Sequence, residues 1–306
     1  MQLVRNINNY QKEQEGIVLT IGNFDGLHRG HQEILKHLLA ESEKAGLKSA
    51  VMCFEPQPLE FFKTNSPARL SRFRDKFLGF KNFGVDIMFC LRFNQTFAKI
   101  SPEDFIENIL VRAINIKKII VGDDFRFGAL GKGDFNLLQV MGKQKGFEAV
   151  SLESYIVENQ RVSSTLIRQN LKLDKLENIK SLLGEDFFIR GKVAHGQEIG
   201  RTISFPTANI NLNRRVTPVK GVYAVRVELK KGEWHNGVAN VGVRPTVNGV
   251  EPRLEVFIFD FSGDLYCHEI KVSFIKKLRD EKKFSSVDEL KNQIKLDEDF
   301  ARKILA

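Results

Sequence analysis

Cysteine, tryptophan and long apolar runs are what this 306-residue sequence has least of. The three cysteines, Cys53, Cys90 and Cys267, are odd in number and far apart, which argues against a disulfide framework or a cysteine-based zinc module. No stretch is apolar for long enough to cross a bilayer, and the opening residues Met1 to Asn9 hold no run of signal-peptide length. A reducing cytoplasm is the expected home, and no membrane partner is expected. A block of Lys and Arg is missing as well. Basic residues number 47 against 38 acidic ones, a formal charge of +9, but they are spread along the chain. Spread charge describes a solvated surface, and without a nucleic-acid motif beside it no nucleic-acid partner is expected. Internal repeats and low-complexity tracts are also absent.

What is present is the composition of a globular protein, 42% hydrophobic and 28% charged. The length exceeds what one core usually spans, so two domains are expected. Up to about residue 180, short apolar runs alternate with amphipathic stretches. Strands are predicted at 16–22, 50–54, 85–91, 118–122 and 147–151. Between them Ile34, Leu35, Leu38 and Leu39, then Leu70, Phe73 and Phe77, then Phe105, Ile106, Ile109 and Leu110, mark helical faces. Strands separated by helices need crossovers, and crossovers make a doubly wound parallel sheet. From about residue 184 strands follow one another with few helices: 187–193, the alternating run around Tyr223 to Leu229, a hairpin at Lys230 to Glu233, then 254–261 and 265–275. Such spacing predicts a small antiparallel barrel. One helix closes the chain, with Ser286 and Glu289 spaced as a capping box.

The first chemical signal is Gly22-Asn-Phe-Asp-Gly-Leu-His-Arg-Gly-His31, between the first strand and the first helix. Ligands of open parallel sheets gather at the carboxyl ends of strands, and a helix N-terminus there suits phosphate. Gly22, Gly26 and Gly30 admit a close approach of backbone to a ligand. His28 and His31 could donate hydrogen bonds to oxygens where negative charge builds. Taken alone, the pair also reads as a surface pair or half of a metal site, although no third zinc ligand is evident. Gly122 to Gly128 (with Asp124) and Arg161 to Arg168 (with Ser164 and Thr165) follow other strands and supply the hydroxyls and guanidinium forks a triphosphate needs.

The second signal is Gly196-x-x-x-Gly-Arg-Thr-Ile-Ser-Phe-Pro-Thr-Ala-Asn209. Thr207 and Asn209, two apart, can turn two oxygens toward one hard cation such as Mg²⁺. Glu255, on a predicted strand, could take a proton from a substrate hydroxyl. The residues alone leave open that Glu255 faces solvent and that Thr207 to Asn209 is a turn.

The first motif resembles the nucleotidylyltransferase signature. With Phe54-Glu-Pro-Gln-Pro58, Asp124-Phe-Arg-Phe-Gly128 and Ser163-Ser-Thr-x-Ile-Arg168, it is similar to the FMN adenylyltransferase module of bacterial bifunctional riboflavin kinase/FAD synthetases. The second, with Gly221 to Val225, Gly237 to Thr246 and Leu278 to Phe284, resembles the riboflavin kinases of that same family, six-stranded barrels. The resemblance implies an adenylyltransferase domain at 1–182 and a kinase domain at 183–306, using ATP and Mg²⁺ to turn riboflavin into FMN plus ADP, then FMN into FAD plus pyrophosphate. It assigns His28 and His31 to transition-state stabilisation, and Gly22, Asn23, Phe24, Asp25, Gly30, Asp124, Arg161, Ser164, Thr165 and Arg168 to the first ATP. Pro56, Pro58 and Arg279 go to flavin, and Phe62, one of 25 phenylalanines, is a candidate stacking platform for its ring. Gly191, Gly200, Arg201, Pro206, Thr207 and Asn209 go to the kinase ATP, with Thr207 and Asn209 also on the metal, and Glu255 is the general base. Three positions depart from the family pattern: Gln57 and Phe257 stand where histidine is usual, and Ser204 where glycine is. The cysteines are expected to be core thiols in strands, and Trp234 a packing residue.

Overall fold

The computed structural model describes residues 1–63, 66–194, 205–212, 216–246 and 249–306, with the side chains at 243–246 and 249–251 left undescribed. The chain divides into two compact units, residues 1–67 with 71–163, and residues 68–70 with 164–306.

In the first unit, β1 (Gln2–Val4), β2 (Ile17–Ile21), β3 (Lys48–Glu55), β4 (Ile87–Arg92), β5 (Ile116–Gly122) and β6 (Glu148–Leu152) form one sheet. Its order is β1-β4-β3-β2-β5-β6, every pair parallel. Parallel strands covered on both faces must be apolar throughout, and β2 is buried at all five positions. The helices α1 (Arg29–Ala45), α2 (Pro58–Phe62), α3 (Phe73–Phe83) and α4 (Phe135–Lys145) lie between the strands, with a π-helical stretch at Phe105–Ile114. Glycines in the left-handed region stop three of them, at Gly46, Gly84 and Gly146. Two apolar clusters fill the unit, one around Leu19, Phe89 and Ile119, the other around Val18, Leu35 and Phe80. The chain runs from β2 outward through β3 and β4, then returns to the other side of β2 as β5. That reversal opens a crevice at the carboxyl ends of β2 and β5.

A small hairpin, β7 (Ile156–Val157) and β8 (Gln160–Arg161), closes the first unit. The second begins with α5 (Ser164–Lys172) and α6 (Leu176–Leu183). Six strands follow: β9 (Phe188–Ala194), β10 (Thr207–Asn211), β11 (Gly221–Lys230), β12 (Glu233–Thr246), β13 (Gly249–Ile258) and β14 (Glu269–Arg279). They form a closed antiparallel barrel in the order β10-β13-β12-β11-β14-β9. Closure removes the edges that a six-stranded open sheet would expose. Lys277 Nζ meets Asp174 at 2.7 Å and ties the α5–α6 turn to the barrel.

The last helix, α7 (Val287–Leu305), packs its Ala301 and Leu305 against Val222, Ala224 and Phe259 of the barrel. Ser286 caps it by accepting from the Glu289 backbone N–H. The Glu289 side chain reaches Ser285 instead of Ser286, so the reciprocal half of the expected capping box is displaced by one residue. Two expected strands sit differently: 254–261 is shifted to Gly249–Ile258, and 265–275 to Glu269–Arg279. The connecting turn takes residues 259–268, with Asp260 and Cys267 at positive φ. Cys267 is therefore an exposed turn residue and not a core thiol in a strand, whereas Cys53 and Cys90 are buried partners on β3 and β4. Trp234 is 45% exposed at the start of β12, with the Lys271 ammonium 5.9 Å from the centre of its ring.

Candidate active sites

The loop from Gly22 to His28 leaves the end of β2 and enters α1 at the crevice. Phe24, Gly26 and Leu27 all have positive φ, so the loop coils tightly and cannot continue either element. Its underside is held by α3 and the residues before it. Ser71 donates from its backbone N–H to Asp25 Oδ1 at 3.0 Å, and its hydroxyl accepts from the Gly26 N–H at 2.9 Å. Lys76 donates to the Asn23 carbonyl at 3.3 Å. Phe24 is 1% exposed and sets its ring edge-on to Phe80 at 5.3 Å. Gly79 makes room for Leu27, with which any side chain there would collide.

Above this base, His28 caps α1. Its Nδ1 accepts from the His31 backbone N–H at 3.3 Å, which leaves its ring N–H at Nε2. The two imidazoles are stacked, 3.6 Å between centroids and 18° between planes. A Cβ on Gly30 would lie 3.3 Å from the His28 ring, so the absence of a side chain there keeps the ring in place. Burial, chiefly, then His28 and Lys76, push the His31 imidazole well below the ordinary histidine range. His31 is thus a neutral hydrogen-bonding group, and its buried Nδ1 has no partner among the described residues. A neutral imidazole at a helix N-terminus can serve phosphate oxygens without an internal counter-ion.

At the end of β5, Arg161 pairs with Asp124 at 2.7 Å and with Asp123 at 3.3 Å. Hydrogen bonds from Ser154 hold the Asp123 carboxyl below its usual range, and Arg161 adds to that. Nearby, a cavity of about 400 Å³ is lined by Phe54, Phe62, Phe93, Phe97, Phe105, Phe125 and Phe127, with Pro58 and Arg126. Phe125 and Phe127 stack within 17° of parallel. Aromatic walls of this kind suit a flat, polarisable ring system.

The barrel holds the second site, a cavity of about 290 Å³. Asn209 on β10, Glu255 on β13 and Asn240 on β12 are direct cross-strand neighbours, so one row places the carboxylate between two amides. All three line the cavity, with Thr207 two residues before Asn209 on the same strand face. Asn209 Nδ2 donates to the Thr207 carbonyl at 3.3 Å, which leaves its Oδ1 available. Asn240 Oδ1 is buried without a hydrogen-bond partner among the described residues. Across the cavity, Arg279 gives Nε and Nη2 to Asp297 at 3.0 and 2.8 Å, and Nη1 to the Asp280 carbonyl at 3.0 Å. Asp297 is on α7, so this ion pair fixes the helix to β14.

The FAD synthetase family model matches residues 10–166, and the riboflavin kinase model matches residues 183–305. The Escherichia coli K12 protein named bifunctional riboflavin kinase/FMN adenylyltransferase is 51% identical over 99% of this chain and 97% of its own length. The chain belongs to the bifunctional riboflavin kinase/FMN adenylyltransferase family. Its Haemophilus influenzae member is 47% identical over 99% and 98% of the two chains. A crystal structure from Streptococcus pneumoniae, described as a macrolide-efflux protein, aligns over 98% of both chains with a TM-score of 0.83 and 32% identity. Efflux is a statement about that protein; here no described helix is long and apolar enough to cross a membrane.

Within this family member, the structure brings Gly22, Asn23, Phe24, Asp25 and His28 together in one loop, with Gly30 and His31 in the first turn of α1. The side chains of Phe24 and Asp25 are committed to the loop's own support, so what they can offer a nucleotide is backbone. Asp124 and Arg161 meet each other. Ser164, Thr165 and Arg168 open α5, the first element of the second unit. Pro58 and Phe62 line the phenylalanine cavity, whereas Pro56 does not and Arg279 belongs to the barrel. Gln57 is buried at the start of α2, its Nε2 without a partner among the described residues. In the barrel, Thr207, Asn209, Glu255, Arg279 and Phe257 share the cavity. Gly191 sits mid-strand opposite Ile270, and Pro206 is exposed. Gly200, Arg201 and Ser204 lie outside the described residues. Lys76 and Asn240 were not among the expected site residues. Lys76 looks like any amphipathic-helix lysine, and the position of Asn240 depends on a strand register that no local pattern encodes.

Proposed function

We propose that the barrel phosphorylates riboflavin with ATP and that the α/β unit adenylylates the resulting FMN with a second ATP. The observation that carries this reading is the pairing of two phosphate-handling sites of different design in one chain. One is a stacked histidine pair capping a helix at the sheet crevice; the other is a carboxylate set between two amides in a barrel cavity.

In the barrel, Glu255 accepts the proton of the terminal ribityl hydroxyl as its oxygen attacks the γ-phosphorus of ATP, and ADP leaves. Thr207 and Asn209 present hard oxygens, which fit Mg²⁺ better than softer metals. The ion, when bound beside the ATP phosphates, neutralises charge on them. In the α/β unit, a phosphate oxygen of FMN attacks the α-phosphorus and pyrophosphate leaves. That step needs no base, because the nucleophile is already an anion. His28 and His31 donate to the oxygens on which charge develops, and the helix N-terminus adds its partial positive charge. The phenylalanine cavity receives the isoalloxazine ring, with Pro58 and Phe62 at its wall. Asp124, Arg161, Ser164, Thr165 and Arg168 serve the first ATP, and Gly200 and Arg201 the second. The functional boundary is placed at 182/183, and the setting at the cytoplasm. Chromatography of flavins after incubation with riboflavin, ATP and Mg²⁺ should show FMN first and FAD after it. Unchanged riboflavin, with FMN also unconverted when supplied directly, would refute the reading.

A further inference from the structure

Lys76 sits within α3, and none of its surface is exposed. Taking an ammonium out of water is costly unless strongly polar partners offset the loss. Among the described residues no carboxylate forms an ion pair with it, and its one hydrogen bond runs to the Asn23 carbonyl. Its charge also bears on groups of three other elements: His31 on α1, the Cys53 thiol on β3 and the Cys90 thiol on β4. Glu55 acts on both thiols and Arg5 on that of Cys90, and the His28 ring stacks on His31. A helix that served only as packing would carry a methionine or leucine here at no such cost.

We propose that Lys76 is a positioning residue for adenylyl transfer, its ammonium pinning the phosphate loop at Asn23 and setting the electrostatic field at His31 from below. The inference rests on the assignment of adenylyl transfer to this unit. Two consequences follow from the geometry. The Asn23 carbonyl is turned inward and down, so the loop presents its outer surface to the nucleotide in one conformation. Positive charge on Lys76 also opposes a second one on the His31 imidazole, adding to burial and His28 in keeping that ring a neutral hydrogen-bonding group while phosphates are absent.

The test compares Lys76→Met and Lys76→Arg with the unaltered protein. In Lys76→Met, FAD formation from FMN should fall about a hundredfold through loss of positioning, while riboflavin phosphorylation by the same molecules is unchanged. The acid limb of the FAD-forming pH profile should move to higher pH, because His31 then accepts a proton more readily. Lys76→Arg, which keeps the charge, should leave that limb in place. An acid limb that stays put in Lys76→Met, or kinase and adenylyltransferase rates that fall in parallel, would overturn the proposal. NMR titration of the histidines in the unaltered protein needs no variant: His31 should stay neutral as pH falls through 6.5, and ordinary titration there would equally overturn it. Failure of the unaltered protein to convert FMN would count against the adenylyltransferase reading, whereas the His31 titration, set by burial and His28 ahead of Lys76, does not depend on that reading.

Discussion

His28 and His31 lie three positions apart, the spacing that sets two side chains on one face of a helix start, and their rings stack as that spacing allows. The stability of the first unit should carry their mark. The unfolded chain protonates His31 near 6.5, while the native site resists the proton to well below that pH. As pH falls below about 6.5 the unfolded state binds more protons than the native one, so stability drops until the native pKa is reached. Thermal unfolding of His31→Asn against the unaltered protein should show a smaller acid-side loss in the variant; equal losses would contradict the assignment. In the barrel, Asn240→Ala removes a polar group from the row containing Glu255. Riboflavin phosphorylation should slow about tenfold, the worth of one hydrogen bond at a charged centre, with FAD formation from supplied FMN unaffected. The histidines were legible from the sequence because loop, glycines and helix start are contiguous. Asn240 was not, since only the pairing of β12 with β13 sets it beside Glu255.

At the scale of elements, α3 is the least foreseen contributor. Its apolar stripe marks it as a helix, yet the same pattern would suit any crossover in a parallel sheet. Ser71, Lys76, Gly79 and Phe80 reach the Gly22–His28 loop from a position some fifty residues later in the chain, and nothing local announces that. The strands of the α/β unit were easier to read, because buried parallel strands are continuous apolar runs bounded by glycine or a helix cap. The last two barrel strands have ends the pattern does not mark, since alternation persists through the turn at 259–268 where pairing stops. The last helix is anchored by Asp297, which is 5% exposed and receives Arg279 and Gln293 together. Asp297→Ala leaves the Arg279 guanidinium without its partner. The second unit should lose about 3 kcal/mol, measured by denaturant unfolding, and a change within experimental error would show that α7 is held by its apolar face alone.

For the molecule as a whole, the sequence motifs fall in two blocks, and the two compact units give each block its own architecture and its own cavity. Where packing divides the chain, at 163/164, differs from the limits of the matched family models, 10–166 and 183–305. Helices α5 and α6 account for the difference: they pack with the barrel, although α5 opens with the Ser164-Thr165 pair assigned to the first ATP. The central claim is that the two steps depend on separate catalytic residues, His28 and His31 for adenylyl transfer and Glu255 for phosphorylation. The direct test is flavin chromatography on two full-length variants, each given riboflavin and, separately, FMN, with ATP and Mg²⁺. His31→Ala should form FMN at the normal rate and FAD about a hundredfold more slowly. Glu255→Gln should leave riboflavin largely unconverted yet make FAD normally from supplied FMN. Loss of both steps in either variant would contradict the account.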